Sequence, residues 1–151
     1  MLFFEDKDDD KALKLVDKQL DETPDHLDSR FLRAKIYWRA DKYDAVLRDL
    51  SYVIKHYKGK PSVYKSTPFG LQGAIYDDME RFADAVDSYR QDIKFAKKDN
   101  PDRIQSYKFD LAQSLYNAKD LDGAEKVYFD MLKDDPGDGG AMVGLARNIL
   151  D

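Results

Sequence analysis

The acidic residues near the start of the chain have the spacing of a calcium-binding loop. Aspartates alternate over residues 6–10, and Leu13 and Asp17 stand where such a loop places an apolar residue and its last ligand. Lys11, however, replaces the glycine that the sharp turn needs, and aspartate is a shorter bidentate ligand than glutamate. We therefore interpret the segment as an acidic lead-in that favours the positive N-terminus of the next helix.

Other side chains that could bind metal or perform catalysis are sparse. His26 and His56 lie far apart in the chain, without a second histidine one helical turn away from either, so the usual zinc pattern is missing. The chain has no cysteine, which removes thiolate ligands and thiol nucleophiles. Adjacent carboxylates such as Asp77 and Asp78 diverge by about 100° on a helix and cannot serve one substrate. The sequence thus predicts no metal, no cofactor and no enzyme.

Residues 52–65 combine lysines with tyrosines, the mixture that binds single-stranded nucleic acid. The flanking segments are acidic, and the chain carries 25 basic against 30 acidic residues, a formal net charge of −5. Since acidic flanks repel a phosphate backbone, we expect no nucleic-acid partner. The loop over residues 137–140 is rich in glycine but lacks the lysine and the Ser/Thr of a phosphate-binding loop, so we expect it to be a linker with Asp138 near the next helix cap.

Membrane and export signals are missing from the sequence. No apolar stretch approaches the roughly 18 residues that cross a bilayer. The acidic start differs from the basic start of a secretory signal, so we interpret it as mature chain. We expect no membrane contact; the compartment stays open, and the cytoplasm is favoured slightly.

Apolar residues recur at helical spacing along the whole chain. Ala12, Val16 and Leu20 form one such series, and no sustained alternation typical of strands is found. Thr67 before Pro68 and Asn100 before Pro101 are typical helix starts. Proline, glycine and polar breaks divide the chain into eight helical segments, at residues 24, 41–42, 59–61, 78–81, 100–101, 119–120 and 136–140. With 151 residues, 42% of them hydrophobic, the chain is long enough for one all-α domain.

The helices carry an internal repeat. Alternate helices have a small residue that is followed three residues later by a larger apolar one, and a second helix opens twelve residues after the small residue. The small residues are Ala34, Gly73, Ala112 and Ala146; the larger ones are Tyr37, Tyr76, Leu115 and Ile149; the second helices open at Val46, Ala85 and Ala124, to which Ala12 corresponds. The steps from Ala12 onward are 34, 39 and 39 residues.

This pattern resembles the tetratricopeptide repeat (TPR) family, in which antiparallel helix pairs stack as a right-handed superhelix. The resemblance implies an all-α solenoid with a half repeat 1–26, repeats 27–65, 66–104 and 105–138, and a terminal helix 139–151. Gly73 would allow close helix contact, with Tyr76 and Tyr89 filling the space around it. Arg30 and Arg33 stand where the family favours large apolar residues, so we expect irregular packing in the first pair.

The resemblance also implies a function, because the first helices of TPR pairs line a concave groove that binds peptides or helices of partner proteins. We therefore expect a non-enzymatic interaction scaffold. Trp38 is the strongest candidate contact, since Tyr37 already occupies the packing position beside it. The candidate contacts are Asp28, Phe31, Lys35, Trp38, Arg39, Asp77, Asp78, Phe109, Gln113, Tyr116, Asn117 and Arg147.

The partner and two other functions stay open. Family members that bind acidic chaperone tails use lysines, asparagines and an arginine, whereas Asp110 at a matching place would repel such a tail, so we expect a segment of mixed aromatic and charged residues. The long repeat steps also fit a peptide-sensing regulatory module. A third possibility is a structural or oligomerising segment of a larger protein, in which the terminal helices stack on another copy.

Overall fold

The computed structural model describes residues 2–56, 68–99 and 101–151, which contain helices and no strand. This described part has eight α-helices, as the sequence predicted, and one short 3₁₀ turn, Pro101–Arg103. The predicted caps at Thr67 and Asn100 lie outside the described residues. The helices are α1 (Leu2–Glu22), α2 (Leu27–Arg39), α3 (Tyr43–His56), α4 (Pro68–Asp78), α5 (Phe82–Asp99), α6 (Ile104–Asn117), α7 (Leu121–Asp134) and α8 (Gly139–Leu150).

The chain divides into two compact units, Met1–Pro68 and Phe69–Asp151. In the first unit, α2 packs against both α1 and α3, and an apolar cluster joins Val16 and Leu20 of α1 to Ile36 of α2. In the second unit, α5, α6, α7 and α8 pack in chain order around one larger apolar cluster. Each unit thus buries its helices mainly against their neighbours in sequence, as repeat proteins do.

The turns inside the helix pairs repeat the same backbone geometry. Asp41, Glu80 and Lys119 follow α2, α4 and α6, and each has a positive φ, at 55°, 55° and 66°. The next residue donates its N–H to a carbonyl five residues back, as Asp120 does to Leu115 at 2.9 Å. This arrangement satisfies carbonyls at the end of each first helix. Its recurrence shows that the repeat extends to the backbone.

Small residues bring the helices close together. A Cβ on Gly73 would lie 2.7 Å from Cε1 of Tyr89, so the tyrosine ring packs directly on the α4 backbone, as predicted. A Cβ on Gly144 would lie 2.4 Å from Cζ of Tyr128, so the same contact joins α8 to α7. Glycine is needed at both places because no side chain fits.

The α2–α3 pair is held by ion pairs where the family pattern has large apolar residues. Asp49 of α3 is 3% exposed and accepts hydrogen bonds from Arg30 at 3.3 Å and from Arg33 at 2.7 and 2.8 Å. Arg33 also donates to Asp17 of α1 at 2.9 Å. The arginines therefore replace apolar packing with a defined polar contact across three helices.

The acidic start of the chain lies inside α1. The interpretation as a lead-in before a helix was wrong, because α1 begins at Leu2 and includes the alternating aspartates. In α1, Asp9 forms an ion pair with Arg39 of α2. Within the described ranges, no group of three metal-ligating side chains is found, and no helix is both long and apolar enough to cross a membrane.

Candidate functional site

An open hollow lies between α6 and α8 in the second unit. Its volume is about 420 Å³. Gly139 and Gly140 at the start of α8 carry no side chains to fill it, and a Cβ on Gly139 would have no neighbour within 4 Å. A second hollow of about 310 Å³ shares Phe109 and Gly140 with the first. The first hollow is lined by Phe109, Gln113, Gly139, Gly140, Val143, Gly144 and Arg147.

The polar side chains at this hollow form a connected network. The Gln113 amide donates to the Tyr128 hydroxyl at 2.6 Å and accepts from Nη2 of Arg147 at 2.6 Å. The Arg147 guanidinium also lies over the Tyr116 ring, 4.3 Å from its centroid. The Tyr116 hydroxyl donates to Asp151, which raises the pKa of Tyr116. Both ends of the Gln113 amide are therefore held in place, and so is the arginine.

An acidic cluster lies on the α4 side of α6. Asp77 accepts hydrogen bonds from the Ser114 hydroxyl at 2.7 and 2.8 Å and from the Tyr89 hydroxyl at 3.0 Å. Desolvation raises the pKa of Asp77 despite these bonds. The pKa of Asp110 is raised by desolvation and by the charge of Asp77. This part of the unit is therefore a poor environment for a further negative charge.

Asp92 of α5 belongs to the same cluster and is fully buried. Within the described residues, neither carboxylate oxygen has a hydrogen-bond partner. Desolvation, followed by the charge of Asp110, raises the pKa of Asp92 to about 7, while Arg103 acts in the opposite direction. Asp92 therefore binds a proton much more readily than an exposed aspartate does.

The predicted contacts on α2 belong to the first unit and differ in exposure. Phe31 is only 2% exposed and lies in the core, so we leave it out of the proposed binding surface. The Lys35 ammonium lies 5.3 Å from the Phe31 ring, and desolvation lowers the pKa of Lys35. Trp38 and Asp28 are half-buried, and Arg39 is exposed.

In the second unit, the structure brings Phe109, Gln113 and Arg147 together in one hollow and places Tyr116 against Arg147. Asp77 instead bonds to Ser114 and Tyr89 of neighbouring helices, whereas Asp78 and Asn117 are exposed at helix ends.

Sequence reasoning missed Val143, Gly140, Gly144 and Tyr128. The adjacent glycines Gly139 and Gly140 could have indicated that the start of α8 carries no side chains at the hollow. A further segment, residues 57–65 of the tyrosine–lysine stretch, lies outside the described residues. Tyr52 in its described part is covered by Arg30, 3.9 Å from the ring centroid, and stacks on His56.

Comparisons with known proteins agree with the geometry of the helix pairs. No protein-family model matches the sequence, and no curated protein matches it either. Among solved structures, YrrB, a TPR protein with an unusual peptide-binding site, has a TM-score of 0.73 at 16% identity; the match covers 97% of this chain and 71% of YrrB.

Two other solved structures are also similar. The first TPR of Spaghetti (RPAP3), bound to the HSP90 peptide SRMEEVD, has a TM-score of 0.63 at 14% identity, over 80% of this chain and 88% of that one. The C-terminal part of a TPR repeat-containing protein from Cytophaga hutchinsonii has a TM-score of 0.51 at 16% identity. This match covers 97% of this chain and 67% of that one. Together with the repeated helix pairs, these likenesses show that the chain has the fold of the tetratricopeptide repeat proteins.

Proposed function

We propose that the chain is a non-enzymatic interaction scaffold that binds a peptide or helix of a partner protein on the first-helix face of its second unit. The open hollow between α6 and α8 carries this proposal. It joins apolar surface from Phe109 and Val143 to polar groups from Gln113 and Arg147. An apolar hollow with a few fixed polar groups is the usual form of a binding site.

Each lining residue has a distinct part in the proposed binding. Val143 is 70% exposed and, with the Phe109 ring, offers contact to an apolar or aromatic side chain of the ligand. Arg147 donates to Gln113 and is hydrogen-bonded to Tyr128, and a guanidinium has five N–H groups. Its other N–H groups can donate to main-chain carbonyls of a bound segment. Because Gln113 is held at both ends, little side-chain entropy is lost on binding.

The charges nearby favour a ligand of mixed composition. An acidic tail such as the one bound to the RPAP3 repeat would be repelled by Asp77 of α4 and by Asp110 of α6. A segment that places an aromatic anchor in the hollow and a basic residue toward Asp110, away from Arg147, suits these charges better. The peptide-binding TPR neighbours support a protein partner in general, and the selection of this sequence type is our own inference.

Selection from a displayed library of random peptides tests the proposal. Peptides selected on the wild-type chain are measured by fluorescence anisotropy against Arg147→Ala and Val143→Asp, both at exposed positions. We expect each variant to weaken binding at least tenfold. Arg90→Ala is the matched control, because Arg90 is exposed on α5 and pairs only with Asp87 among the described residues.

Two results would contradict the proposal. One is a selection that yields no peptide above background, and the other is a set of peptides that bind the wild type, Arg147→Ala and Val143→Asp equally well. Circular dichroism of the variants shows whether a loss of binding comes from unfolding. The predicted α2 contacts belong to the first unit and are tested by themselves: Lys35→Glu and Trp38→Ala weaken those selected peptides that bind the first unit.

A further inference from the structure

The last helix exposes a face that the other first helices bury. Ala146 is exposed, whereas Ala34 and Ala112, its counterparts in the repeat, are both 0% exposed. Ile149 is 65% exposed, and its counterpart Leu115 is 3% exposed. Equivalent positions in different copies of the repeat therefore differ in burial. The reason is that, within the described part of the chain, no second helix packs on this face of α8.

In α6, the equivalent face is covered by α7. Ala112 and Leu115 belong to the apolar cluster that contains Ala124 and Tyr128 of α7. Lys108, four residues before Ala112, extends the contact, since its ammonium pairs with Asp130 and Asp134 of α7, both at 2.7 Å. The α8 counterpart of Lys108 is Met142, which is 47% exposed. The bare face of α8 is thus apolar along its length, with Met142, Ala146 and Ile149 in line.

The first helix exposes the complementary position. In the repeat, Leu15 of α1 corresponds to Asp49 and Ser88, which are 3% and 5% exposed because each contacts the first helix of its own pair. Asp49 accepts from Arg33 of α2, and Ser88 donates to Gln72 of α4 at 3.0 Å. Leu15 is 71% exposed. Within the described residues, α1 therefore has the face of a second helix without a first helix against it.

We propose that α8 of one copy packs against α1 of a second copy, so that each of these two faces, bare among the described residues, gains a partner helix. The register of α1 against α8 follows from the α2–α3 pair, in which Asp49 contacts Arg30. In the repeat, Leu15 is the counterpart of Asp49, and Met142 is the counterpart of Arg30. Leu15 of one copy thus contacts Met142 of the other, and two exposed apolar side chains become buried. The two faces differ, so the contact is head-to-tail and each copy keeps one face for a further copy.

Mixing two variants tests this arrangement. Leu15→Asp blocks the α1 face and leaves the α8 face intact, whereas Ile149→Asp does the reverse. In analytical ultracentrifugation over a range of concentrations, the average mass of the wild type rises with concentration and each variant alone stays monomeric. An equal mixture forms a heterodimer and nothing larger, because only one productive pair of faces is left. Phe129→Ser, at a 51% exposed position of α7 outside both faces, is the control and associates like the wild type.

Several results would overturn the proposal. A wild type that stays monomeric at every concentration shows that the faces are not covered by a second copy. A Leu15→Asp variant that still associates points to a symmetric contact between two α8 helices, and a mixture that stays monomeric excludes the head-to-tail pair. Circular dichroism confirms that the variants fold. The double variant Leu15→Asp/Met142→Arg places an ion pair like Asp49–Arg30 in the new contact, and association returns if the register is right.

Discussion

Arg33 donates two hydrogen bonds to the buried carboxylate of Asp49, from Nε at 2.7 Å and from Nη2 at 2.8 Å. The hydrogen bonds to Asp49 and to Asp17 hold the pKa of Arg33 above its usual value, although desolvation acts in the opposite direction. Arg30 reaches the same carboxylate at 3.3 Å. A single aspartate therefore connects α3 to two arginines of α2, at the place where the repeat pattern calls for apolar residues.

Replacement of Asp49 by alanine is expected to destabilise the first unit by about 2 to 3 kcal/mol. The substitution leaves two partly buried guanidinium groups without their carboxylate, and loss of one partner of a buried pair is costly. The arginine side chains are 20% and 21% exposed, so water compensates for part of the loss. Urea unfolding followed by Trp38 fluorescence measures the change in the free energy of unfolding.

The matched control for this prediction is Asp84→Ala. Asp84 pairs with Arg81, and both side chains are 48% exposed. Exposed pairs contribute little, so the expected change is below about 0.5 kcal/mol. Equal effects of Asp49→Ala and Asp84→Ala would contradict a structural role for the buried contact.

The buried Asp92 carboxyl predicts that the stability of the second unit falls as pH rises. Its pKa is about 7 in the folded protein and about 3.9 in an unfolded chain, so the folded state binds more protons between these values. The stabilisation that comes from the proton bound at Asp92 is complete below pH 4 and is lost as pH rises through 7. Asp92→Asn removes this titration; we expect it to exceed the wild type in stability at pH 8 by on the order of 4 kcal/mol and to approach it at pH 4.

Unfolding in urea at pH 4, 6 and 8, followed by far-ultraviolet circular dichroism, measures this pH dependence. Asp87→Asn on the same helix is the control, because Asp87 is 82% exposed and pairs with Arg90 at the surface. If the free energy of unfolding varies with pH in the same way for the wild type and for Asp92→Asn, Asp92 stays ionised in the folded protein.

The turn after α6 predicts a stabilising substitution. Lys119 has a φ of 66°, a conformation that costs an L-residue free energy and that glycine adopts readily. We expect Lys119→Gly to raise the free energy of unfolding by about 0.5 to 1 kcal/mol. Lys119→Ala separates this backbone effect from loss of the ammonium over the Tyr116 ring, since it removes the same charge and keeps the strain. A gain in the alanine variant equal to that in the glycine variant would rule out the conformational explanation.

The repeat made much of the fold predictable from the sequence. Small residues such as Gly73 and large ones such as Tyr89 recur at fixed spacing because helix pairs need close contacts at fixed places, and the structure has this contact. The Arg33–Asp49 contact could not be predicted, because it joins residues of different helices and no sequence period relates them. The aspartates of residues 6–10 misled because aspartate is typical of caps and turns, whereas α1 runs through them and packs on α2 farther along, at Val16 and Leu20.

The candidate site was predictable in part. The periodicity identified Phe109 and Gln113 as residues of one helix face, and both line the hollow between α6 and α8. The hollow itself depends on the absence of side chains at Gly139 and Gly140, and glycines give no chemical signal in the sequence. Phe31 has the same spacing on its own helix and is buried, because periodicity gives a face of a helix and does not say what covers it.

The close approach of α4 and α5 predicts that Gly73→Ala is destabilising. The new Cβ would lie 2.7 to 2.8 Å from three atoms of the Tyr89 ring, and Tyr89 is 5% exposed and bonded to Asp77, so the ring has little room to move. Overpacking of this kind costs about 1 to 3 kcal/mol. Gly139→Ala is the matched control, since its Cβ would have no neighbour within 4 Å and alanine favours the helix, so we expect no loss of stability. Thermal unfolding of both variants measures the difference, and equal melting temperatures would contradict close packing of Tyr89 on the α4 backbone.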